Sequence, residues 1–197
     1  MNGKLVLMPN TLDLGGDEPP PLTAVLPHAV IERAAGLQHW VVENAKTARA
    51  FLKRVDAVVA LKQPLQTLSI SELPRPQKGS GATVTAANLA PLLAATQQGH
   101  DIGLLSEAGL PAVADPGAAL VAAAHLAGIT VDVLPGPSSI TLAVAASGLQ
   151  GQRFAFVGYL PTDAAERTAR VRALEAHSQR EQQTQVAIET PYRNAAL

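Results

Sequence analysis

The chain contains no cysteine, which excludes disulfide frameworks, cysteine-ligated zinc and thiol nucleophiles together. Aromatic residues are 3% and charged residues 16% of the sequence. With 47% of its 197 residues apolar, the chain must build its core mainly from Ala, Leu and Val. Fifteen Lys and Arg stand against 16 Asp and Glu, a net charge of −1, so no global basic field advertises nucleic-acid binding. A local basic patch remains compatible with these numbers. No uninterrupted apolar run reaches the ~18 residues of a membrane helix. The apolar run in MNGKLVLMPN is too short for a signal peptide. The expectation is a soluble, cytoplasmic chain with no membrane association, of one large domain or two small ones.

Several motifs are absent as well. There is no GxGxxG, no Walker loop and no GxSxG elbow, so ordinary dinucleotide, triphosphate and serine-hydrolase sites are not expected. The histidines (His28, His39, His100, His125, His177) are scattered, and none lies at metal-ligand spacing. No metal site and no histidine base is expected.

What is present is an alternation of short apolar runs and helical patterns. Lys4–Met8, His39–Glu43, Thr67–Ile70, Ile102–Leu105, Ile129–Leu134, Phe154–Gly158 and Thr184–Glu189 read as strands. Pro27–Leu37 is weakly helical, with Gly36 as its terminator. Asn44 can cap a helix to about Arg54, with Ala48, Phe51, Leu52 and Val55 at helical spacing. Thr83 or Thr85 can cap a helix ending near Gly99. Gly117–Leu126 is helical, with Gly128 where a C′ glycine belongs. A helix follows PGPSS to Ala146 or Ser147, and Asp163 caps an exposed one with Glu166 and Arg170 four apart. Trp40 suits core packing. Such alternation predicts an α/β fold with mainly parallel sheets. LPRPQKGSGAT (73–83) reads as an exposed loop. The chain stops shortly after Pro191, in a helical pattern, and further C-terminal residues are expected.

In open α/β sheets ligands bind beyond the carboxyl ends of the strands. Four strand ends carry loops rich in Pro, Gly and small polar residues: MPNTLDLGGD (8–17), SEAGLPAVADPG (106–117), PGPSS (135–139) and ETPYRN (189–194). The second is longer than the about 2–6 residues of a plain αβ connection. Free N–H groups in such turns can hold a carboxylate or phosphate. An acid such as Glu107 or Asp115 can hold an ammonium or a ribose hydroxyl. Together they suit a nucleoside with an amino-acid tail, although PGPSS alone is more often a plain turn. Lys46 and Arg49 read mainly as solvated side chains.

SEAGLPAVADPG, LPGPSS, SGL, RFAFVGYLP and IETPYRN, in that order and spacing, resemble the tetrapyrrole methylase superfamily. They are most similar to its branch of ribosomal RNA (cytidine-2′-O)-methyltransferases, where the second loop reads like SDAGTPLISDPG. Glu107 stands here for the first Asp and Leu110 for the Thr. The resemblance is dense from Ile102 to Asn194 and thinner before residue 100, where VVENAKTARAFL matches an AAEDTR-like segment with Asn44 in place of the second acid. It implies two α/β domains, 1–112 on the acceptor side and 113–197, a homodimer, and S-adenosylmethionine in the cleft between the domains. Carried over, the cofactor residues are Pro9, Ser106, Glu107, Ala108, Gly109, Val113, Ala114, Pro135, Gly136, Pro137, Ser138, Ser139, Phe156 and Gly158. Glu43 and Glu107 are the candidate bases, with Asp17 third. The implied activity is methylation of ribosomal RNA, on a ribose 2′-oxygen of the small subunit. A tetrapyrrole or other small acceptor is the alternative. The changes at Glu107, Leu110 and Asn44 also allow a divergent paralogue that binds S-adenosylmethionine without catalysis. Arg49, Arg75 and Lys78 are the basic residues available for RNA.

Overall fold

The computed structural model describes residues 2–12, 19–74, 86–190 and 193. Among the described residues the strands are β1 (Leu5–Met8), β2 (His39–Val42), β3 (Ser69–Glu72), β4 (Ile102–Leu105), β5 (Val131–Val133), β6 (Phe154–Tyr159) and β7 (Thr184–Ile188). The helices are α1 (Leu22–Val25), α2 (His28–Gly36), α3 (Ala45–Asp56), α4 (Ala86–Leu89), α5 (Ala94–Gln97), α6 (Ala118–Leu126), α7 (Ser139–Ser147) and α8 (Ala164–Glu181). Contacts divide the chain into two compact units, 1–137 and 138–197. This boundary lies well past the expected one after residue 112. The cause is strand pairing: β5 joins β1 in parallel, with Leu5 opposite Val131, and so keeps 113–137 with the first unit.

The first unit is a parallel five-stranded sheet in the order β3-β2-β4-β1-β5. Its central strands are buried on both faces, which is why LVLM and IGLL read as continuous apolar runs. Alternate residues serve opposite layers. Val6, Met8, Trp40, Val42 and Leu105 pack with Leu22, Leu26, Val30, Ile31 and the apolar stripe of α3. Leu5, Leu7, Val41, Ile102 and Leu104 pack on the other face with Leu89, Leu93, Leu120, Ala123 and Ala124. Ala48, Phe51, Leu52 and Val55 are the buried residues of α3, as their spacing predicts. Trp40 is core, and Gly103 lets its ring lie directly on β4: a Cβ there would sit 2.7 Å from the ring carbons.

Local signals explain most element ends. Asn44 Oδ1 caps α3 by accepting from the Lys46 and Thr47 amides at 2.9 and 3.5 Å. Gly128 takes the left-handed φ of 66° just past α6. Two expectations shift. Pro64 starts a 3₁₀ turn at Leu65–Thr67, which moves the third strand from Thr67–Ile70 to Ser69–Glu72. The helix expected up to Gly99 is split by Pro91 into α4, a 3₁₀ turn at Ala90–Leu93, and α5. Its possible caps, Thr83 and Thr85, lie outside the described residues.

The second unit holds α7, β6, α8 and β7, with β6 and β7 paired in parallel. Asp163 caps α8 as predicted, accepting from the Ala165 and Glu166 amides at 2.9 Å. None of the 18 residues of α8 is buried.

Candidate active site

The strands of the first sheet are parallel, so their carboxyl ends share one edge. From β1 the chain leaves towards the layer of α1 and α2; from β4 it leaves towards α6, on the opposite face. β1 and β4 are hydrogen-bonded neighbours, so the loops after them diverge from a topological switch point, the usual ligand position in such sheets.

Three predicted loops meet there. Gly136 lies against Pro9 so closely that a Cβ would stand 2.1 Å from Pro9 Cβ. Gly109 has a left-handed φ of 65°, and a Cβ on it would meet Leu12 Cδ2 at 3.2 Å and Pro137 O at 3.4 Å. Asn10 ties the β1 loop to the β4 loop. Its Nδ2 donates to Ser106 O at 3.2 Å and Glu107 O at 2.9 Å, and its main-chain N–H donates to Gly109 O at 2.8 Å. Two glycines thus let the loops approach closely, and the Asn10 side chain holds the β1 and β4 loops together at the edge of the sheet.

The acids gather at the same end. Glu43 follows β2, and its amide donates to Leu105 O at 3.2 Å. Glu43 Oε2 accepts from the Glu107 amide at 3.3 Å. Thr47, in the first turn of α3, places Oγ1 2.6 Å from Glu107 Oε1. That length is typical of a hydroxyl donating to a carboxylate. Asp115 is half-buried. Its carboxyl is pushed above the ordinary aspartate value by burial, against a hydrogen bond from Ser106, and the nearby Glu107 charge raises it further. Ala112 and Ala114 both hold left-handed backbone, at φ 66° and 63°, in the loop that also contains Gly109 and Gly117. Non-glycine residues in this region carry strain and concentrate at ligand sites.

Of the predicted residues, Pro9, Glu43, Ser106, Glu107, Ala108, Gly109, Val113, Ala114, Pro135, Gly136 and Pro137 therefore belong to the first unit. Ser138, Ser139, Phe156 and Gly158 belong to the second. There, β6 bulges between Phe156 and Gly158, whose φ is 74°. Ser138 precedes α7 without a side-chain capping bond. Asp17, Arg75 and Lys78 lie outside the described residues. Arg49 is exposed and donates to Ala45 O at 3.3 Å. No group of three or more His, Asp or Glu able to hold a metal occurs among the described residues. Among them, too, no helix is long and apolar enough to cross a membrane.

Sequence reasoning missed Asn10, and it reached Thr47 only as part of the VVENAKTARAFL segment, with no partner. The only signal for Asn10 was a polar residue directly after a buried strand and a proline. The partner of Thr47 is 60 residues away and became visible only in the fold.

Comparison with known proteins gives the family. Residues 45–197 match the family model described as Tetrapyrrole (Corrin/Porphyrin) Methylases. A protein of Mycobacterium tuberculosis named "Ribosomal RNA small subunit methyltransferase I" is 42% identical over 113 residues, 57% of this chain and 38% of its own length. The Thermotoga maritima protein of that name is 33% identical over 112 residues, 56% of this chain and 50% of its own. That of Pseudomonas aeruginosa is 41% identical over 97 residues, 49% and 33%. The matches thus span half or less of these relatives' lengths. The family match spans Glu107 and Leu110, and Asn44 is the cap of α3.

Proposed function

Because this chain belongs to the tetrapyrrole (corrin/porphyrin) methylase family, we propose that it transfers a methyl group from S-adenosylmethionine to ribosomal RNA of the small subunit, on a ribose 2′-oxygen. The observation that carries the reading is the switch-point constellation: loops after β1, β4 and β5 in contact, with Glu107 fixed between Thr47 and Glu43. The three relatives' names supply the acceptor class. Working as a homodimer in the cytoplasm fits the same reading.

The residues suit such a cosubstrate. Small residues at 108, 109, 112 and 114 leave main chain accessible, which favours a carboxylate or a nucleoside edge. Glu107 and Glu43 supply the negative charge that an ammonium or ribose hydroxyls require. S-adenosylmethionine brings an already electrophilic methyl on a sulfonium, so the protein's part is mainly alignment and exclusion of water. Glu107 takes the proton that the acceptor hydroxyl gives up as its oxygen forms the new C–O bond and the C–S electron pair stays on sulfur. Thr47 holds that carboxylate in place, and Glu43 holds the Glu107 amide. Ser138, Ser139 and the Phe156–Gly158 bulge are assigned to the cofactor by family pattern.

The test is calorimetric titration with S-adenosylmethionine, followed by methyl transfer to small-subunit RNA lacking the modification. At 100-fold excess over Kd, binding adds about 2.7 kcal/mol of stability. That corresponds to a melting shift of roughly 5–10 °C. Glu107→Gln should lower turnover by about 10²–10⁴, the usual worth of a general base, with the protein still folded. Absence of binding sinks the reading. Binding with transfer only to porphyrinogens moves the acceptor to a tetrapyrrole.

A further inference from the structure

Asn10 is 8% exposed, one of the few buried polar residues, and it sits on neither apolar cluster. Its hydrogen bonds cross between neighbouring strand ends 96 and 97 residues apart in the chain. An asparagine amide offers two donors and one carbonyl oxygen. Here both donors are used, on Ser106 O and Glu107 O, and Oδ1 accepts from the Thr11 amide at 2.8 Å. The Asn10 main chain adds a fourth bond, to Gly109 O.

No other small side chain does this. Aspartate would set a carboxylate against two carbonyl oxygens. Serine and threonine have one donor for two acceptors. Leucine would leave both carbonyls without a donor, at the cost that attaches to buried unsatisfied groups. Residues 106–109 need such a clamp because the β1 and β4 loops part to opposite faces just here, where the regular ladder has ended. Glu107 is then held at three points: its carbonyl by Asn10, its amide by Glu43 and its carboxylate by Thr47.

We infer that Asn10 is a positioning residue, which locks the 106–109 loop in the shape that presents Glu107 to the cosubstrate. Its catalytic value depends on that end of the sheet taking S-adenosylmethionine, as proposed. Its hold on the loop does not.

Asn10→Leu and Asn10→Asp are compared with Thr96→Val in the full chain. Thr96 is a fully buried threonine of the same unit, bonded to Leu93 O and remote from the loop, so it controls for general loss of stability. Two quantities are read: residue-resolved amide exchange and S-adenosylmethionine affinity. Both Asn10 variants should speed exchange at the Glu107 and Val113 amides, which donate to Glu43 Oε2 and Leu110 O, by at least about tenfold beyond any uniform change, and weaken binding by a similar factor. Thr96→Val should do neither. If Asn10→Leu matches Thr96→Val in the exchange of the loop, the inference is overturned. If the loop loosens but the unaltered protein binds no S-adenosylmethionine, the functional reading fails while the clamp stands.

Discussion

In the first unit every residue of β1 is buried and the sheet around it is covered on both faces. In the second, an 18-residue helix buries nothing, and Ile140, Val144 and Thr184 are the buried residues among those described. Phe154, Phe156 and Tyr159 of β6 are 37–53% exposed. Both units are rich in apolar residues, so composition does not separate them. What differs is the number of layers: a central strand needs cover on two faces, and a pair of strands is marginal alone. Recognisable motifs are dense after residue 102. Much of the geometry that converts those motifs into a site is nonetheless anchored in strands of the first unit.

The largest effects should follow burial. Leu104→Ala, in a fully buried position of β4, should cost about 2–5 kcal/mol. Leu142→Ala, on an α7 residue that is 53% exposed, should stay within about 0.5 kcal/mol. Urea denaturation of both variants checks this. Equal costs would mean that Leu142 is covered in solution and that the contrast between the units is false.

Glycines sharpen the contrast at the next level. A Cβ on Gly136 collides with Pro9, so Gly136→Ala should cost about 1–3 kcal/mol and displace the β1 loop, abolishing S-adenosylmethionine binding. Gly148 ends α7 at φ 70° with nothing near its missing Cβ. Gly148→Ala should therefore meet only the left-handed penalty of about 1–2 kcal/mol and leave binding intact. Calorimetry on the two proteins separates steric contact at the site from backbone preference elsewhere.

Charge gives a smaller difference, seen at the two ends of β4. Burial would raise the Asp101 carboxyl, but the Arg33 guanidinium and the Lys4 amide outweigh it and hold it below the usual aspartate range. Its contribution is present above about pH 4 and is lost as pH falls through the lowered value. Asp115 is shifted upward, so its contribution is complete below about pH 4 and is lost as pH rises through the raised value. Asp101→Asn should thus cost about 1 kcal/mol at neutral pH and little in acid. Asp115→Asn should leave neutral-pH stability equal or improved. Glu181 in the second unit pairs with Arg180 at 2.8 Å on a side chain that is 42% exposed, and Glu181→Gln should change little. Melting curves between pH 3 and 8 decide the signs.

Elements set by local chemistry were legible in the sequence: buried strands as apolar runs, α3 and α8 by their Asn44 and Asp163 caps, chain reversal at Gly128. Elements set by distant partners were not. Nothing near Val131–Val133 announces that it pairs with β1, the pairing that keeps 113–137 with the first unit. Glu107 was singled out and Thr47 lay in the VVENAKTARAFL segment, yet their hydrogen bond depends on β2 and β4 lying side by side. Ala112 and Ala114 are a harder case, since alanine carries no mark of a left-handed position.

Those alanines allow the finest test. Glycine at 114 relieves left-handed strain of about 1–2 kcal/mol but adds freedom to the unfolded chain worth about 0.4–1 kcal/mol. Ala114→Gly should therefore end near neutral in stability, or slightly above it. Gln182, at φ 50° where α8 ends, faces the same balance, and Gln182→Gly should behave alike on melting. The two should part only at the ligand. Residue 114 lies in a loop that the proposed function assigns to the cosubstrate, so on that reading loosening it should weaken S-adenosylmethionine binding a few-fold, about 0.5–1 kcal/mol. Residue 182 should not affect binding. If both variants bind alike, the left-handed alanines are a consequence of packing, and the strain in that loop serves no ligand.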